Sequence, residues 1–261
     1  MDYNEIIKVV KAMPKNIYVL SDIHGHFEVF KKMLEKINFT DDDLLYILGD
    51  CCDRGPQSIE IYLYLQEHRD NIVLLKGNHE SMMRDAFLAN GEKASAVRQW
   101  NRNGGRKTMD SYEQYLKKEK LGDLDYELVK SAFTKMMVDY INSCPNFVEL
   151  NVNHQDYVLV HAGFNPEKGL YEQTEEECLW MREYFFMSPG LKDKIVIFGH
   201  TPTCYMHNKD NCYDIWFDPI FEDKMGIDGG LGPFDDGQLN CICLNTEQTY
   251  IVTKKEMEDF V

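Results

Sequence analysis

Five short apolar runs each lead into residues able to bind a metal ion. Asn16 to Leu20 runs into Ser21-Asp22-Ile23-His24, Leu44 to Leu48 into Gly49-Asp50-Cys51-Cys52-Asp53-Arg54-Gly55, and Ile72 to Leu75 into Lys76-Gly77-Asn78-His79-Glu80. Further along, Asp156 to Val160 leads to His161-Ala162-Gly163, and Ile195 to Phe198 to Gly199-His200-Thr201-Pro202. Carboxylate, imidazole and amide oxygen form a hard to intermediate donor set. It suits manganese, iron, zinc or magnesium and disfavours copper(I) or an iron–sulfur cluster. Arg54, beside the carboxylates, suits bidentate binding of phosphate. One histidine at a strand end is commonly a hydrogen-bonded structural residue, but five coincident cases are hard to explain that way. Asp22, His24, Asp50, Asn78, His161 and His200 exceed the ligands one ion takes, so two ions sharing a carboxylate are expected. Asp50, central in the order of ligands, is the expected bridge.

The runs are too short for ordinary helices and read as buried strands. Between them Phe27, Phe30, Leu34 and Ile37 recur at helical spacing, and a second helix is expected from about Gln57 to His68. Strands alternating with helices imply a largely parallel sheet, and the carboxyl ends of such strands gather at one edge. From Ser81 to about Ile141 the pattern is helical, which predicts an insertion (81–141) overlooking the mouth of the site. Residues 147–150 and 156–160 fit a hairpin, and an acidic helix is expected from Thr174 to Phe186. Short strand candidates at 212–217, 225–228, 239–244 and 249–253 point to a second, more antiparallel sheet. A short helix is expected over residues 1–15, ending before Pro14.

The 261 residues and 44% apolar composition fit a single domain over 1–261. A net charge of −16 argues against a surface that tracks a nucleic-acid backbone, so no nucleic-acid partner is expected. No apolar stretch approaches the roughly 20 residues needed to cross a bilayer, and from the polar, acidic start no signal peptide is expected. The eight cysteines lack Cys-x-x-Cys spacing and read as buried thiols of a cytoplasmic protein. The chain also lacks a Walker glycine loop.

Taken in order, Asp22-Ile23-His24, Gly49 to Gly55, Gly77-Asn78-His79-Glu80, His161-Ala162-Gly163 and Gly199-His200-Thr201 make the chain resemble a known family from about Asn16 to Thr253. That family is the phosphoprotein phosphatases, which are binuclear metallophosphoesterases. Within it the chain looks like the bacterial and bacteriophage lambda type enzymes, with which Glu80 followed by Met82-Met83, Trp100 to Gly105 and Trp180-Met181-Arg182-Glu183 also agree. The resemblance implies an α/β fold, a calcineurin-like sandwich of two mixed β-sheets flanked by helices. It implies that Asp22, His24 and Asp50 hold one divalent metal and Asp50, Asn78, His161 and His200 a second. Manganese is the first expectation, with iron or zinc as alternatives. It further implies His79 as the general acid, Asp53 as the residue orienting it, and Arg54 with Arg182 as the phosphate clamp.

The implied activity is hydrolysis of phosphoserine and phosphothreonine in proteins by in-line attack of a metal-bridging hydroxide on phosphorus. Symmetrical hydrolysis of dinucleoside tetraphosphates and a broad action on small phosphomonoesters are the alternatives. Glu80 favours the first, since tetraphosphatase relatives tend to carry Asp there. A reading from another class, a non-catalytic metal-binding scaffold, needs a degraded site. Cys51-Cys52 departs from the family's aromatic or aliphatic pair and raises an expectation of redox sensitivity. The toxin-binding loop of eukaryotic members has no match near Met225 to Asp228. Neither oligomeric state nor physiological substrate is legible.

Overall fold

The computed structural model describes residues 14–89, 94–119 and 126–258. The helix expected before Pro14 lies outside them. Ten strands form two five-stranded sheets among the described residues. In the first, β1 (Ile17–Leu20), β2 (Leu44–Ile47) and β3 (Ile72–Leu74) run parallel, while β9 (Gln238–Cys243) and β10 (Thr249–Thr253) are antiparallel additions beyond β1. The second sheet orders β4 (Phe147–Val152), β5 (Gln155–Val160), β6 (Ile195–Phe198), β8 (Lys224–Gly226) and β7 (Trp216–Phe217). Within it β5, β6 and β8 are parallel.

Alternation along each strand explains why the sheets stack. Val19, Tyr46, Leu48, Leu159, Ile197 and Ile242 share one apolar cluster between the sheets. Their neighbours point the other way: Tyr18, Leu20, Leu45 and Ile47 pack under α1 (Phe27–Lys36), α2 (Ser58–Glu67) and α3 (Asn78–Phe87), the first three helices. Val158, Val160, Val196 and Phe198 pack outside the second sheet with Cys178 and Phe185 of α7 (Glu175–Trp180) and α8 (Glu183–Phe186). The result is the expected sandwich of two mixed sheets flanked by helices.

Three expectations need correction. The tail does not build a sheet of its own: β9 and β10 complete the first sheet and β7 and β8 the second. Antiparallel pairing to β1 sets Tyr18 against Cys243 and buries every residue of β9, whose two amide side chains, Gln238 and Asn240, are hydrogen-bonded to each other. Only Trp216–Phe217 of the 212–217 candidate is strand. The acidic helix is two helices, because the backbone leaves helical geometry at Arg182 (φ −138°, ψ −124°) between α7 and α8.

The helical region is present as α3, α4 (Ala94–Arg102), α5 (Gly105–Lys118) and α6 (Tyr126–Ser143), and begins at Asn78, earlier than Ser81. The 153–154 turn closes the β4–β5 hairpin with both residues at positive φ, a tight two-residue connection. All eight cysteines are free and seven are buried. No helix among the described residues is long and apolar enough to cross a membrane.

Candidate active site

The ends of β1, β2, β3, β5 and β6 meet at one edge of the sandwich. Backbone bonds tie the loops together: the amide N–H groups of Asp22, His24 and Gly25 donate to the carbonyls of Gly49, Asp50 and Cys51. The two sheets approach so closely here that a Cβ on Gly199 would lie 2.3 Å from Asp22 Oδ2. In that space the His200 N–H donates to Asp22 Oδ2 at 3.0 Å. Asp22, His24, Asp50, Asp53, Arg54 and His200 all adopt positive φ. For residues other than glycine this is a strained conformation, and its concentration in one place marks a site held by its surroundings.

All ten residues singled out in the sequence converge on this edge. Asp22, His24, Asp50, Asp53, Asn78, His79, His161 and His200 are buried, Arg54 is half-buried, and Arg182 is exposed. A cleft of about 350 Å³ opens onto His24, Asp50, His79 and His200, with Arg54 and Arg182 among its walls.

Asp50 is central. Its Oδ2 lies 3.7 Å from His24 Nε2 and 3.9 Å from His79 Nε2, and its Oδ1 lies 3.5 Å from His161 Nε2. His161 Nδ1 faces the Leu48 carbonyl at 2.6 Å and must be its protonated nitrogen. The Nε2 lone pair is thereby aimed at Asn78 Oδ1 (2.9 Å) and His200 Nδ1 (3.2 Å). His24 is oriented alike, its Nδ1 donating to the Cys52 carbonyl at 3.0 Å. Such backbone acceptors behind a histidine are the usual support of a metal ligand. His200 Nε2 is buried without a partner, so neither tautomer satisfies both ring nitrogens. Converging lone pairs and an orphaned buried nitrogen fit cations, and His24 with Asp50 and His79, or Asp50 with His161 and His200, are close enough to hold them.

The ionisation pattern follows from burial and neighbours. Burial lowers the affinity of His24, His161 and His200 for a proton. Burial also pushes the Asp22 carboxyl well up, with Asp228 and Asp50 adding to it. For Asp50 burial acts upward, but His161, His79 and His24 outweigh it and hold the carboxyl well below its ordinary range. Burial works against a proton on His79, yet Asp50 and Asp53 outweigh it and raise its pKa. His79 Nδ1 donates to Asp53 Oδ2 at 2.7 Å, leaving Nε2 toward the cleft. There it accepts from Arg54 Nη2 at 3.0 Å, while Arg54 Nη1 reaches His24 Nε2 at 2.9 Å.

Arg182 reaches the site because of the break between α7 and α8. Its Nη1 donates to Thr201 Oγ1 at 3.1 Å, placing the guanidinium at the cleft wall. Glu80 does not face the cleft. It is fully buried and accepts from the N–H groups of Asp50 (2.8 Å), Cys51 (2.8 Å) and Gly77 (3.0 Å) and from the Tyr62 hydroxyl (2.9 Å). Any bearing of Glu80 on substrate choice must therefore act through the Asp50 loop. Cys51 and Cys52 point into the core, where burial pushes both thiols well up, away from the reactive thiolate and from the redox sensitivity expected of them.

Three contributions escaped the sequence. Asp228 lies two residues past the end of β8, as Asp22 lies two past β1, and it is buried in the cleft wall. Counting it into the strand candidate 225–228 hid a sixth strand end. Trp100 and Thr108 reach Asp53 from α4 and α5, and no local spacing signals that contact.

A family model described as calcineurin-like phosphoesterase matches residues 15–223. The chain belongs to this family. Calcineurin-like phosphoesterases generally bind divalent metals, in keeping with the donor groups around Asp50. The chain is 28% identical over 193 residues to serine/threonine-protein phosphatase 1 of Salmonella typhimurium, covering 72% of this chain and 79% of that one. It is 28% identical over 152 residues to a symmetrical bis(5'-nucleosyl)-tetraphosphatase of Chromobacterium violaceum, but covers only 44% of that protein's length and 58% of its own. A protein serine/threonine phosphatase structure from Saccharomyces cerevisiae shares the fold, with a TM-score of 0.55, 16% identity, and coverage of 94% of this chain and 81% of that one. The likeness to the phosphoprotein phosphatases read from the motifs thus holds.

Proposed function

We propose that this calcineurin-like phosphoesterase is a serine/threonine phosphoprotein phosphatase that works with two divalent metal ions, manganese first among them. The observation that carries the reading is Asp50, whose two carboxylate oxygens each face a separate imidazole group at 3.5–3.9 Å. Asp22, His24 and Asp50 would hold one ion, and Asp50, Asn78, His161 and His200 the other. When bound, such a pair supplies Lewis acidity and a nucleophile at neutral pH.

The side chains do the rest. Arg54 and Arg182 bind the phosphoryl oxygens with planar, charge-assisted bonds. His79, flanked by Asp50 and Asp53, would take up a proton on Nε2 once Arg54 turns from it to the phosphoryl oxygens, and deliver that proton to the departing serine or threonine oxygen. Asp53 keeps the Nδ1 proton in place and stabilises the imidazolium.

A monoester suits the cleft better than a tetraphosphate chain. Arg54 and Arg182 are the only Arg or Lys among its described lining residues, enough for one phosphoryl group but not for four. The matched phosphatase is also covered over far more of its length than the matched tetraphosphatase. A second reading, hydrolysis of dinucleoside tetraphosphates, is favoured by Trp180 and Tyr205, aromatic and exposed at the cleft, where a base could stack. Free cysteines suit a cytoplasmic location.

The deciding experiment compares kcat/KM on a phosphoserine peptide and on diadenosine tetraphosphate in the manganese-loaded enzyme, with a chelated control. The expected result is metal-dependent turnover of the peptide at least tenfold above the dinucleotide. A preference for the dinucleotide would replace the proposal with the second reading, and full activity after verified metal removal would end both.

A further inference from the structure

Asp53 is wholly buried, and a buried carboxylate needs donors on both oxygens. His79 supplies one. The others come from the helical region: Trp100 Nε1 lies 3.0 Å from both Oδ1 and Oδ2, and Thr108 Oγ1 donates to Oδ1 at 2.6 Å. We propose that Trp100 and Thr108, presented by the elbow between α4 and α5, are positioning residues of the Asp53–His79 pair. The inference rests on the reading of His79 as the general acid.

The hydrogens have little freedom. The Asp53 N–H donates to Thr108 Oγ1 at 3.0 Å, and of the two acceptors within reach of the Thr108 hydroxyl, Asp53 Oδ1 at 2.6 Å is charged and much nearer than Ser58 Oγ at 3.3 Å. Indole N–H is a donor only, and the ring is fixed by close contact: Phe87 packs edge-on at 5.4 Å, and a Cβ on Gly105 would come within 2.4 Å of it. With Oδ1 held by Thr108 and both oxygens tethered to the indole, Oδ2 stays aimed at His79 Nδ1. That bond selects the tautomer whose Nε2 faces the cleft.

The elbow also touches the neighbouring arginine. Gly104, at φ +103°, accepts from the Arg54 N–H at 3.4 Å and lies so close that a Cβ would be 2.8 Å from that nitrogen. The helical region thus aligns the acid and seats Arg54 through one turn of chain. A tryptophan that only filled the core would have no need to bond a carboxylate linked to a cleft histidine.

The test reads leaving-group dependence, because a misplaced acid matters most when the departing oxygen is a poor leaving group. In the full, manganese-loaded chain with metal content verified, kcat is measured on p-nitrophenyl phosphate and phenyl phosphate for wild type, His79→Asn, Trp100→Phe, Thr108→Val and Thr108→Ser. Trp100→Phe and Thr108→Val are expected to lose about tenfold more rate on phenyl phosphate than on p-nitrophenyl phosphate, a part of the general-acid contribution. Thr108→Ser should restore the wild-type ratio, and adding Trp100→Phe to His79→Asn should not shift the ratio further. A purely structural role lowers both rates together. If His79→Asn shifts the ratio and neither Trp100→Phe nor Thr108→Val does, the positioning role is overturned alone. An unshifted ratio in His79→Asn overturns the acid reading and this one with it. Should Trp100→Phe fail to fold, Thr108→Val against Thr108→Ser decides.

Discussion

Asp50 presents one oxygen to each of two imidazole groups, and those groups are satisfied in opposite ways. On the first flank Arg54 donates to both His24 and His79, so a fixed cation already sits among the acceptors. On the second flank His161 Nε2, His200 Nδ1 and Asn78 Oδ1 lie 2.9–3.2 Å from one another, and His200 Nε2 has no partner. The second flank therefore leaves a buried ring nitrogen unmet until a cation enters, whereas the first already holds a cation of its own. An ion taken by His24 would free Arg54 from that histidine. Arg54, which the proposed function assigns to the phosphoryl group, would then be released by the same event that fills the site.

The largest expected effect comes from deleting one histidine on each flank. His161→Ala and His24→Ala should each lower phosphatase turnover more than a hundredfold, but their metal-free forms should differ. Removing His161 takes the donor from the Leu48 carbonyl but also relieves its crowding against His200 and Asn78, so the chelated protein should lose less stability than with His24→Ala, while the rise in Tm on adding manganese shrinks. Removing His24 deprives Arg54 and the Cys52 carbonyl of their partner, costing about 1–3 kcal/mol even without metal. Thermal unfolding with and without chelator, beside metal content, reads both. Equal destabilisation of the two chelated variants would erase the contrast.

A smaller effect separates the arginines. Arg54→Ala and Arg182→Ala should each weaken inhibition by free phosphate by about tenfold or more, the loss of a charge-assisted pair. Arg54→Ala should also destabilise the chelated protein, since His24 and His79 lose a donor. Arg182 is exposed and, among the described residues, bonds only Thr201 and the His200 carbonyl, so its removal should leave stability within about 0.5 kcal/mol. Unchanged phosphate inhibition in Arg182→Ala would return this residue to the surface.

These contrasts also mark what could be read in the sequence. Asp22, His24, Asp50, Asn78, His161 and His200 were legible because each follows an apolar run whose strand character fixes where its end must lie. Arg182 was placed only by its resemblance to a motif. Thr174 and Glu177 form a clear capping box that starts α7, but nothing in Trp180-Met181-Arg182-Glu183 forbids the helix from continuing, and the break that delivers Arg182 is a tertiary effect. Asp228 was hidden by its position after Gly226 and Ile227, which extend the apolar run by two residues. Trp100 and Thr108 lie 47 and 55 positions from Asp53, and such contacts carry no periodic signature. The tail strands were recognised as strands, but not by sheet, because apolar residues on both faces suit either one.

The smallest effect expected concerns Asp228, a carboxylate near both flanks but held by neither. Burial raises it from its ordinary value near 3.8 to about 6, the Gly230 N–H and Arg54 opposing the rise and Asp50 adding to it. Between those pH values the unfolded chain has released a proton that the folded chain still holds. The contribution of Asp228 to the stability of the chelated protein therefore falls as pH rises from about 4 to 6 and levels off above that. Asp228→Asn keeps the oxygen that accepts from Gly230 N–H at 2.8 Å and removes the charge. In chelator, the variant should gain on wild type over that interval by on the order of 1 kcal/mol, less than the full shift because Asp22, whose carboxyl Asp228 also pushes up, shares in the titration. Urea midpoints at pH 4.5 and 7.0 measure the difference. With manganese present the ions favour every nearby negative charge, so the same substitution should then weaken metal-induced stabilisation instead of adding stability. Parallel pH profiles in chelator would show that Asp228 is ionised already, with Arg54 turned toward it and away from the histidines, and the first flank would lose its fixed cation.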